Sequence, residues 1–310
     1  MKKNIVVIGS SNVDYIMKMS RLPGVGETVT DAVFMRTFGG KGANQAVGAV
    51  RAGGSVYFVN CVGDDDASQR MVEQFKEEGI HTEFVFREKG ISSGTALVMI
   101  GEQGANYLSV APGANYRLMA QHIDQVDELI REAAMVVLQY EILPETLKYV
   151  LNVCDKHTTR VMWNYAPAKA FDKSYLRKVT ILVVNEIEAG MLSGINVTGE
   201  ESIKLAAKEL LRIGCKTVII TLGAEGSYVA AAGVSDWIRA FKVDAVDTTA
   251  AGDIYCGCLA VALAEGRTLA DSARFASAAA AISVTRLGAQ PSAPFRIEID
   301  AFLGKQTDRL

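Results

Sequence analysis

The chain has 310 residues, 49% of them hydrophobic and 22% charged, with a formal net charge of −3. A chain of this length buries ~75% of its unfolded surface, so residues 1–310 suffice for one large α/β domain with room for a smaller embedded element. The mild acidity gives no electrostatic case for nucleic acid or a membrane surface as partner, and no apolar run reaches the ~18 residues of a membrane span.

Met1-Lys2-Lys3 followed by Ile5-Val6-Val7-Ile8 is only superficially like a signal peptide, because the apolar part stops at Gly9 and runs into Asn12 and Asp14. Asn4–Gly9 therefore reads as a buried strand, and a cytoplasmic protein is expected. Asn12 and Asp14, two apart, point the same way if the extended conformation continues. Such a pair can clamp vicinal hydroxyls, the carboxylate accepting from two OH groups while the amide donates and accepts. A strand-end turn capped by Asn and Asp reads equally well. The first βα turn lacks Gly-x-Gly-x-x-Gly, which disfavours a nicotinamide dinucleotide. Tyr15–Phe38 holds Pro23, Gly24 and Gly26 between β-type pieces. It leads into Gly39-Gly40-Lys41-Gly42-Ala43-Asn44 and a helix over Ala43–Ala52. That glycine-rich stretch lacks P-loop spacing. Lys41 and Asn44 suit a polyhydroxy ligand, although glycines at a helix entry also serve the backbone alone.

Tyr57–Val62 reads as the next strand. Thr95–Val110 reads as two more, Thr95–Ile100 and Asn106–Val110, joined by the turn Gly101–Gly104. Neither this segment nor Tyr15–Phe38 has a helix of its own. Together they predict a small β-sheet lid, with two ordinary surface hairpins as the plainer alternative. Met135–Gln139, Arg160–Asn164, Ile181–Asn185 and Thr217–Leu222 repeat the strand pattern, and helical patterns such as Ser202–Ile213 lie between most strands. This alternation predicts an α/β fold with a doubly wound, mostly parallel sheet flanked by helices. In such sheets ligands bind beyond the carboxyl ends of the strands.

Glu141 follows one of these strands and Asn185 ends another. Asn185 and Glu188, three apart at a helix start, can hold the water shell of Mg²⁺ and a phosphate, or form a capping box, or both. Thr221–Gly226 ends a strand with a hydroxyl and two glycines; it can approach a nucleotide or simply turn a hairpin into Ser227–Ala232. Asp247-Thr248-Thr249-Ala250-Ala251-Gly252-Asp253 is the most informative run. Its small residues let backbone N–H groups at the start of a helix approach an anion, with the Asp253 carboxylate beside them. Ala250–Glu265 and Leu269–Thr285 read as helices, the second rich in alanine. Cys61, Cys154, Cys215, Cys256 and Cys258 are odd in number and mostly scattered, which argues against a disulfide framework. Cys256 and Cys258 read as small buried thiols rather than metal ligands.

Taken in order, Asn12-Val13-Asp14, Gly39–Asn44, Glu141, Asn185-Glu186-Ile187-Glu188, Thr221–Gly226, Asp247–Asp253 and Thr285–Ser292 resemble the ribokinase branch of the PfkB sugar-kinase family over nearly the whole chain. The resemblance implies a ribokinase-like fold and transfer of the ATP γ-phosphoryl group to a sugar hydroxymethyl, ribose foremost. It implies Asp253 as the base, with Ala250, Ala251 and Gly252 as the anion hole. Asn12, Asp14, Gly40, Lys41, Asn44 and Glu141 would hold the sugar. Asn185, Thr221, Gly223, Gly226, Gly252 and Ser277 would lie along ATP. Glu188 would organise Mg²⁺ through water. A K⁺ site would map to Asp247, Thr249, Ser283, Arg286, Gly288 and Ser292, some through backbone carbonyls.

The chain departs from the family pattern at Ile254-Tyr255-Cys256 and at Tyr165, where a proline is usual. Other substrates open to this class are deoxyribose, another pentose, fructose or a nucleoside; the last needs an apolar base pocket, to which Phe34, Phe38 or Tyr107 can contribute if they do not pack a β-interface. A non-catalytic sugar- or nucleotide-binding regulator is the rival class, but a binder has no use for Asp253 as a base. Exposed lid edges invite pairing into a homodimer.

Overall fold

The computed structural model describes residues 4–102 and 105–307; Met1–Lys3 and two residues of the Gly101–Gly104 turn lie outside the described residues. In chain order the strands are β1 (Ile5–Ile8), β2 (Asn12–Met19), β3 (Val33–Gly39), β4 (Val56–Val62), β5 (Val85–Arg87), β6 (Gly94–Gly101), β7 (Asn106–Ala111), β8 (Met135–Leu138), β9 (Val161–Asn164), β10 (Ile181–Asn185), β11 (Thr217–Thr221), β12 (Gly226–Ala231) and β13 (Val234–Arg239). The helices are α1 (Lys41–Arg51), α2 (Asp66–Glu77), α3 (Ala120–Asp124), α4 (Asp127–Glu132), α5 (Pro144–Lys156), α6 (Glu186–Ser193), α7 (Glu200–Ile213), α8 (Ala251–Ala264), α9 (Leu269–Ser283) and α10 (Arg296–Thr307).

The main sheet has the order β13-β12-β11-β10-β9-β8-β1-β4-β5. It is parallel from β11 to β5, and antiparallel only at β12 and β13. Central strands such as β1 and β8 are continuous apolar runs because both faces are covered. In β1, Ile5 and Val7 enter one core, shared with α1, α8 and α9, while Val6 and Ile8 enter the other, shared with α5 and α7. The chain moves outward from β1 to β4 and β5, then returns to β8 on the other side of β1. The order of winding therefore reverses between β1 and β8, and that crevice is where an open α/β sheet accepts a ligand.

The segments without helices pair with each other. A second sheet has the order β3-β2-β6-β7, with β2 and β6 parallel and the outer pairs antiparallel. Phe34, Met35, Leu97, Tyr107 and Leu108 are all exposed on it. Asn12 and Asp14 lie on β2 itself, which leaves the body a few residues after β1.

Two helix starts show why local pattern misplaces boundaries. Helix α1 begins at Lys41, earlier than its apolar face suggests. Its N-cap, Gly40, has a positive φ of 89° and no capping side chain. Glu141, from the loop after β8, supplies the cap instead, accepting from Lys41 N at 3.0 Å. Helix α8 is preceded by Ala250 in the left-handed region, φ 60°, a conformation costing about 1–2 kcal/mol for a residue with a Cβ.

Candidate active site

Helices α1 and α8 can touch backbone to backbone because of two glycines. A Cβ on Gly257 would stand 2.4 Å from the Gln45 carbonyl, and one on Gly48 would stand 3.2 Å from Ile254 Cα. The close approach brings Asn44 and Gln45 against the first turn of α8. Asn44 Nδ2 donates to Asp253 Oδ2 and Gln45 Nε2 to Asp253 Oδ1, each at 3.0 Å. Both oxygens of this buried carboxylate are thus met by amide N–H groups from one helix. Behind them, Gln45 Nε2 also donates to Asn164 Oδ1 at 3.1 Å, and Gln139 Nε2 donates to Gln45 Oε1 at 2.8 Å.

The first turn of α8 leaves backbone N–H groups without helical acceptors. Ile254 N is the first to close an α-helical bond, onto the Ala250 carbonyl at 2.9 Å, and Ala251 N reaches the Thr248 carbonyl at 3.3 Å. A Cβ on Gly252 would have nothing within 4 Å, so this face is open to a ligand. Helix starts of this kind attract anions. Lys41 stands in the same field: the charge of Asp253 first, then those of Glu141 and Glu188, holds its ammonium above the ordinary lysine range against the effect of burial. Burial pushes the Glu188 carboxyl up, with Asp253 adding to the shift, while the Asn185 N–H and Lys41 oppose it. Asp253, Lys41 and Glu188 thus act on one another electrostatically.

The mouth of β2 forms the other wall. Asp14 lies against a backbone that has no room for a side chain: a Cβ on Gly39 would fall 2.1 Å from Asp14 Oδ2. Burial, and then the Glu141 charge, raise the Asp14 carboxyl to about 7. Its Oδ1 is buried without a hydrogen-bond partner, and so is Asn44 Oδ1. Buried acceptors of this kind are normally paired, so both could receive donors from a ligand. Asn12 is more constrained than its side chain implies. Asn115 Nδ2 donates to Asn12 Oδ1 at 2.8 Å, which leaves the Asn12 NH₂ as the group free to turn to a ligand. Gly40 packs its Cα onto Ser11 and Asn12, where a Cβ would stand 2.7 Å from Ser11 Cα. Glu141 also accepts from the Ser10 hydroxyl, so it ties the end of β1 to the start of α1 across the switch point.

The residues expected along a nucleotide divide by environment. Asn185 and Glu188 form the capping box of α6, Asn185 Oδ1 accepting from Glu188 N at 2.8 Å and Glu188 Oε2 from Asn185 N at 2.9 Å. Glu188 Oε1 remains for a hydrated cation, which is what a sparse Mg²⁺ site requires. Among the described residues no three His, Cys, Asp or Glu side chains gather into a metal cluster. Thr221 donates to the Val184 carbonyl at 3.3 Å. Gly223, φ 54°, faces open space, whereas Gly226 is required by packing, since its Cβ would stand 2.0 Å from the Ile238 carbonyl. Ser277 is buried on α9, which packs against α8.

The residues expected at a monovalent cation are partly joined. Asp247 Oδ1 accepts from Thr249 N at 2.9 Å and from its hydroxyl at 2.6 Å, and Asp247 Oδ2 accepts from Gly288 N at 2.9 Å. Burial pushes Asp247 up, but the Thr249 hydroxyl and the two N–H groups outweigh it and hold the carboxyl below its usual range. An ionised carboxylate spanning two loops is a fitting anchor for a cation. Val284 O receives both Val246 N and Asp247 N, which ties this loop to the end of α9 close to Ser283. Arg286 N reaches the Ser283 carbonyl at 3.0 Å, and its guanidinium pairs with Glu298. Ser292 Oγ donates to Ala289 O at 2.7 Å.

The departures from the family pattern lie behind this surface. Ile254, Tyr255 and Cys256 are buried in the core, and Tyr165 packs its ring 5.2 Å from Trp163. All five cysteines are free and buried. Sequence reasoning missed Gln45, Gln139, Asn164 and Asn115 as members of the site. The available signal was Gln45 itself, a long polar side chain on a helix face that otherwise carries Ala43, Ala46, Val47 and Ala49.

The family model described as pfkB family carbohydrate kinase matches residues 2–296. The chain is 37% identical to ribokinase of Haemophilus influenzae, over 98% of this chain and 99% of the relative. It is 34% identical to deoxyribokinase of Salmonella typhimurium, over 97% of this chain and 98% of the relative. The solved structure of Arabidopsis thaliana ribokinase complexed with ribose and ATP superposes with a TM-score of 0.92 at 31% identity, covering 98% of this chain and 99% of that one.

Proposed function

This chain belongs to the pfkB family of carbohydrate kinases, and from that membership we propose that it transfers the γ-phosphoryl group of ATP to the 5-hydroxyl of D-ribose, giving ribose 5-phosphate and ADP. The observation that carries this reading is the pairing of the Asp253 carboxylate with Asn44 at the start of α8, beside the open Gly252, together with the unpartnered acceptors of Asp14 and Asn44.

Asp14, Asn12, Lys41, Asn44, Gly40 and Glu141 hold the sugar, the two unpartnered acceptors receiving its hydroxyls. Asp253 accepts the 5-hydroxyl proton as the sugar oxygen bonds to γ-phosphorus and the bond from γ-phosphorus to the bridging oxygen of ADP breaks. Such transfers have loose transition states, so positioning and charge neutralisation supply most of the rate. The N–H groups of Ala250, Ala251 and Gly252, with Lys41 nearby, neutralise charge on the transferring group. Asn185, Thr221, Gly223, Gly226 and Ser277 lie along the nucleotide. Glu188 would hold Mg²⁺ through water, and the ion would supply charge neutralisation at the phosphates. Asp247, Thr249, Ser283, Arg286, Gly288 and Ser292 would hold K⁺, whose charge would steady the adjoining turn.

The second sheet, residues 15–38 and 95–110 in particular, closes over the sugar as a lid and excludes competing water. Its exposed Phe34, Met35, Leu97, Tyr107 and Leu108 support pairing of two lids into a homodimer. The protein works in the cytoplasm, in keeping with its free thiols.

Purified protein given D-ribose, ATP, Mg²⁺ and K⁺ should release ADP and form ribose 5-phosphate, as read by coupled assay and phosphorus NMR. A panel of sugars and nucleosides compared by kcat/KM then ranks the acceptors. A higher value for deoxyribose would transfer the assignment to that sugar, and no phosphorylation across the panel would end the kinase reading. Sedimentation at micromolar concentration should give a dimer; a monomer removes the paired-lid proposal.

A further inference from the structure

We infer that Gln45, itself held by Gln139, is a positioning residue that sets the orientation of the Asp253 carboxylate without touching the sugar. The inference rests on the reading of Asp253 as the base.

Gln45 and Gln139 are 0% exposed, and Asn164 and Asp253 are 8% and 5% exposed. A buried primary amide is costly unless each polar group is paired. Gln45 meets that condition in full. One N–H goes to Asp253 Oδ1 at 3.0 Å, the other to Asn164 Oδ1 at 3.1 Å, and Oε1 receives Gln139 Nε2 at 2.8 Å. The direction of the chain of amides is set by its end. An ionised carboxylate only accepts, so Gln45 must present NH₂ to it and must turn Oε1 toward Gln139. A flipped Gln45 would place oxygen against carboxylate at one end and NH₂ against NH₂ at the other.

Gln139 is held in turn by its bond to Gln45 and by packing against the end of β1, its own Oε1 being buried without a hydrogen-bond partner. A Cβ on Gly9 would fall 1.8 Å from Gln139 Oε1, so the glutamine fills the space a side chain would need. A continuous line of contacts therefore runs from Gly9 through Gln139 and Gln45 to Asp253. The division of labour between the two α1 amides follows from it. Asn44 holds Asp253 Oδ2 and keeps an unpartnered Oδ1 for the ligand, whereas Gln45 has no polar atom left to offer. Gln45 can influence the reaction only through Asp253. A displacement of ~1 Å at a reacting group costs on the order of 10²-fold in rate, which is the size of effect a loosened carboxylate should show.

The test compares Gln45→Met, which keeps length and bulk without the amide, with wild-type protein in the same ribose kinase assay. The expected result is a fall in kcat of about 10–100-fold, with KM and calorimetric affinity for ribose within about threefold of wild type. In an Asp253→Asn background the same substitution should cost nothing further, because the group it positions is gone. Gln45→Leu, which also lacks the amide, should show the same split between kcat and KM. Should Gln45→Met fail to fold, Gln139→Met decides by the same split between kcat and KM. A kcat within about threefold of wild type, or a loss that falls on ribose affinity instead, overturns the inference. Wild-type protein that phosphorylates nothing overturns the kinase reading instead, so the two failures are separable.

Discussion

The two aspartates of the cleft are prepared in opposite ways. Asp253 has both oxygens paired within the protein, to Asn44 and Gln45. Asp14 keeps a buried oxygen with no partner, and its carboxyl is raised to about 7 by burial and by Glu141. One carboxylate is finished before any ligand arrives; the other is left for the ligand to finish. Under the proposed function, the difference separates reaction from recognition. A base must be in place at the moment of transfer, so its orientation is set by the fold. A sugar clamp gains specificity from groups that are costly to leave unpaired, because a ligand lacking the matching hydroxyl leaves them so.

Three measurements can break or sharpen this contrast. The largest effect is expected from Asp253→Asn, which keeps the shape and removes the proton acceptor. Its kcat should fall by on the order of 10³-fold while calorimetry still shows ribose binding. Full activity in this variant would remove Asp253 from the reaction. Next comes Gly39→Ala, whose Cβ would stand 2.1 Å from Asp14 Oδ2 and displace it. Contacts to a charged group are worth about 1.5–3 kcal/mol, so KM for ribose should rise about 10–100-fold with little change in kcat. Loss of kcat with unchanged KM would show that the two aspartates are not separate in function.

The smallest effect is a pH dependence. Sugar hydroxyls that donate to Asp14 favour its ionised form, so binding releases a proton from the acid that titrates at about 7. Ribose affinity should therefore rise by about threefold to tenfold from pH 6 to pH 8 and then level off, with proton release seen by calorimetry in buffers of different ionisation enthalpy. An affinity flat across that range would place the sugar away from Asp14. The same shift acts on stability with the opposite slope. Below 3.8 both folded and unfolded chains carry the proton, and between 3.8 and about 7 only the unfolded chain loses it. Stability contributed by this group thus falls across that window, and Asp14→Asn should abolish that slope in denaturant titrations at successive pH values.

The legible parts of the molecule were those written in local pattern. Ile5–Ile8 and Met135–Leu138 announce themselves as unbroken apolar runs because each is buried on both faces. The start of α8 just before Asp253 was legible because the helical pattern and the small residues before it are visible in sequence. Gln45 was not, because its partners Gln139, Asn164 and Asp253 come from three other elements. The start of α1 was misread for a similar reason, since the group that caps Lys41 is 100 positions away in Glu141. Asn115, which decides which end of the Asn12 amide faces outward, is 103 positions from it. Gly226 shows the converse: a glycine in a motif position whose missing side chain is already explained by the Ile238 carbonyl.

The close seat of α1 on α8 also orders events during synthesis. Asn44 and Asp253, which meet across that contact, are 209 positions apart. At ~5–20 residues per second, the ribosome needs roughly 10–40 s after making α1 before α8 exists to cover it. Through that interval the face of Gly42–Ala49, wholly buried in the finished molecule, lacks the helix that will enclose it. A nascent chain therefore holds Asn12, Asp14, Lys41 and Asn44 long before it holds Asp253, and a chain cut short of α8 lacks the residue proposed as the base.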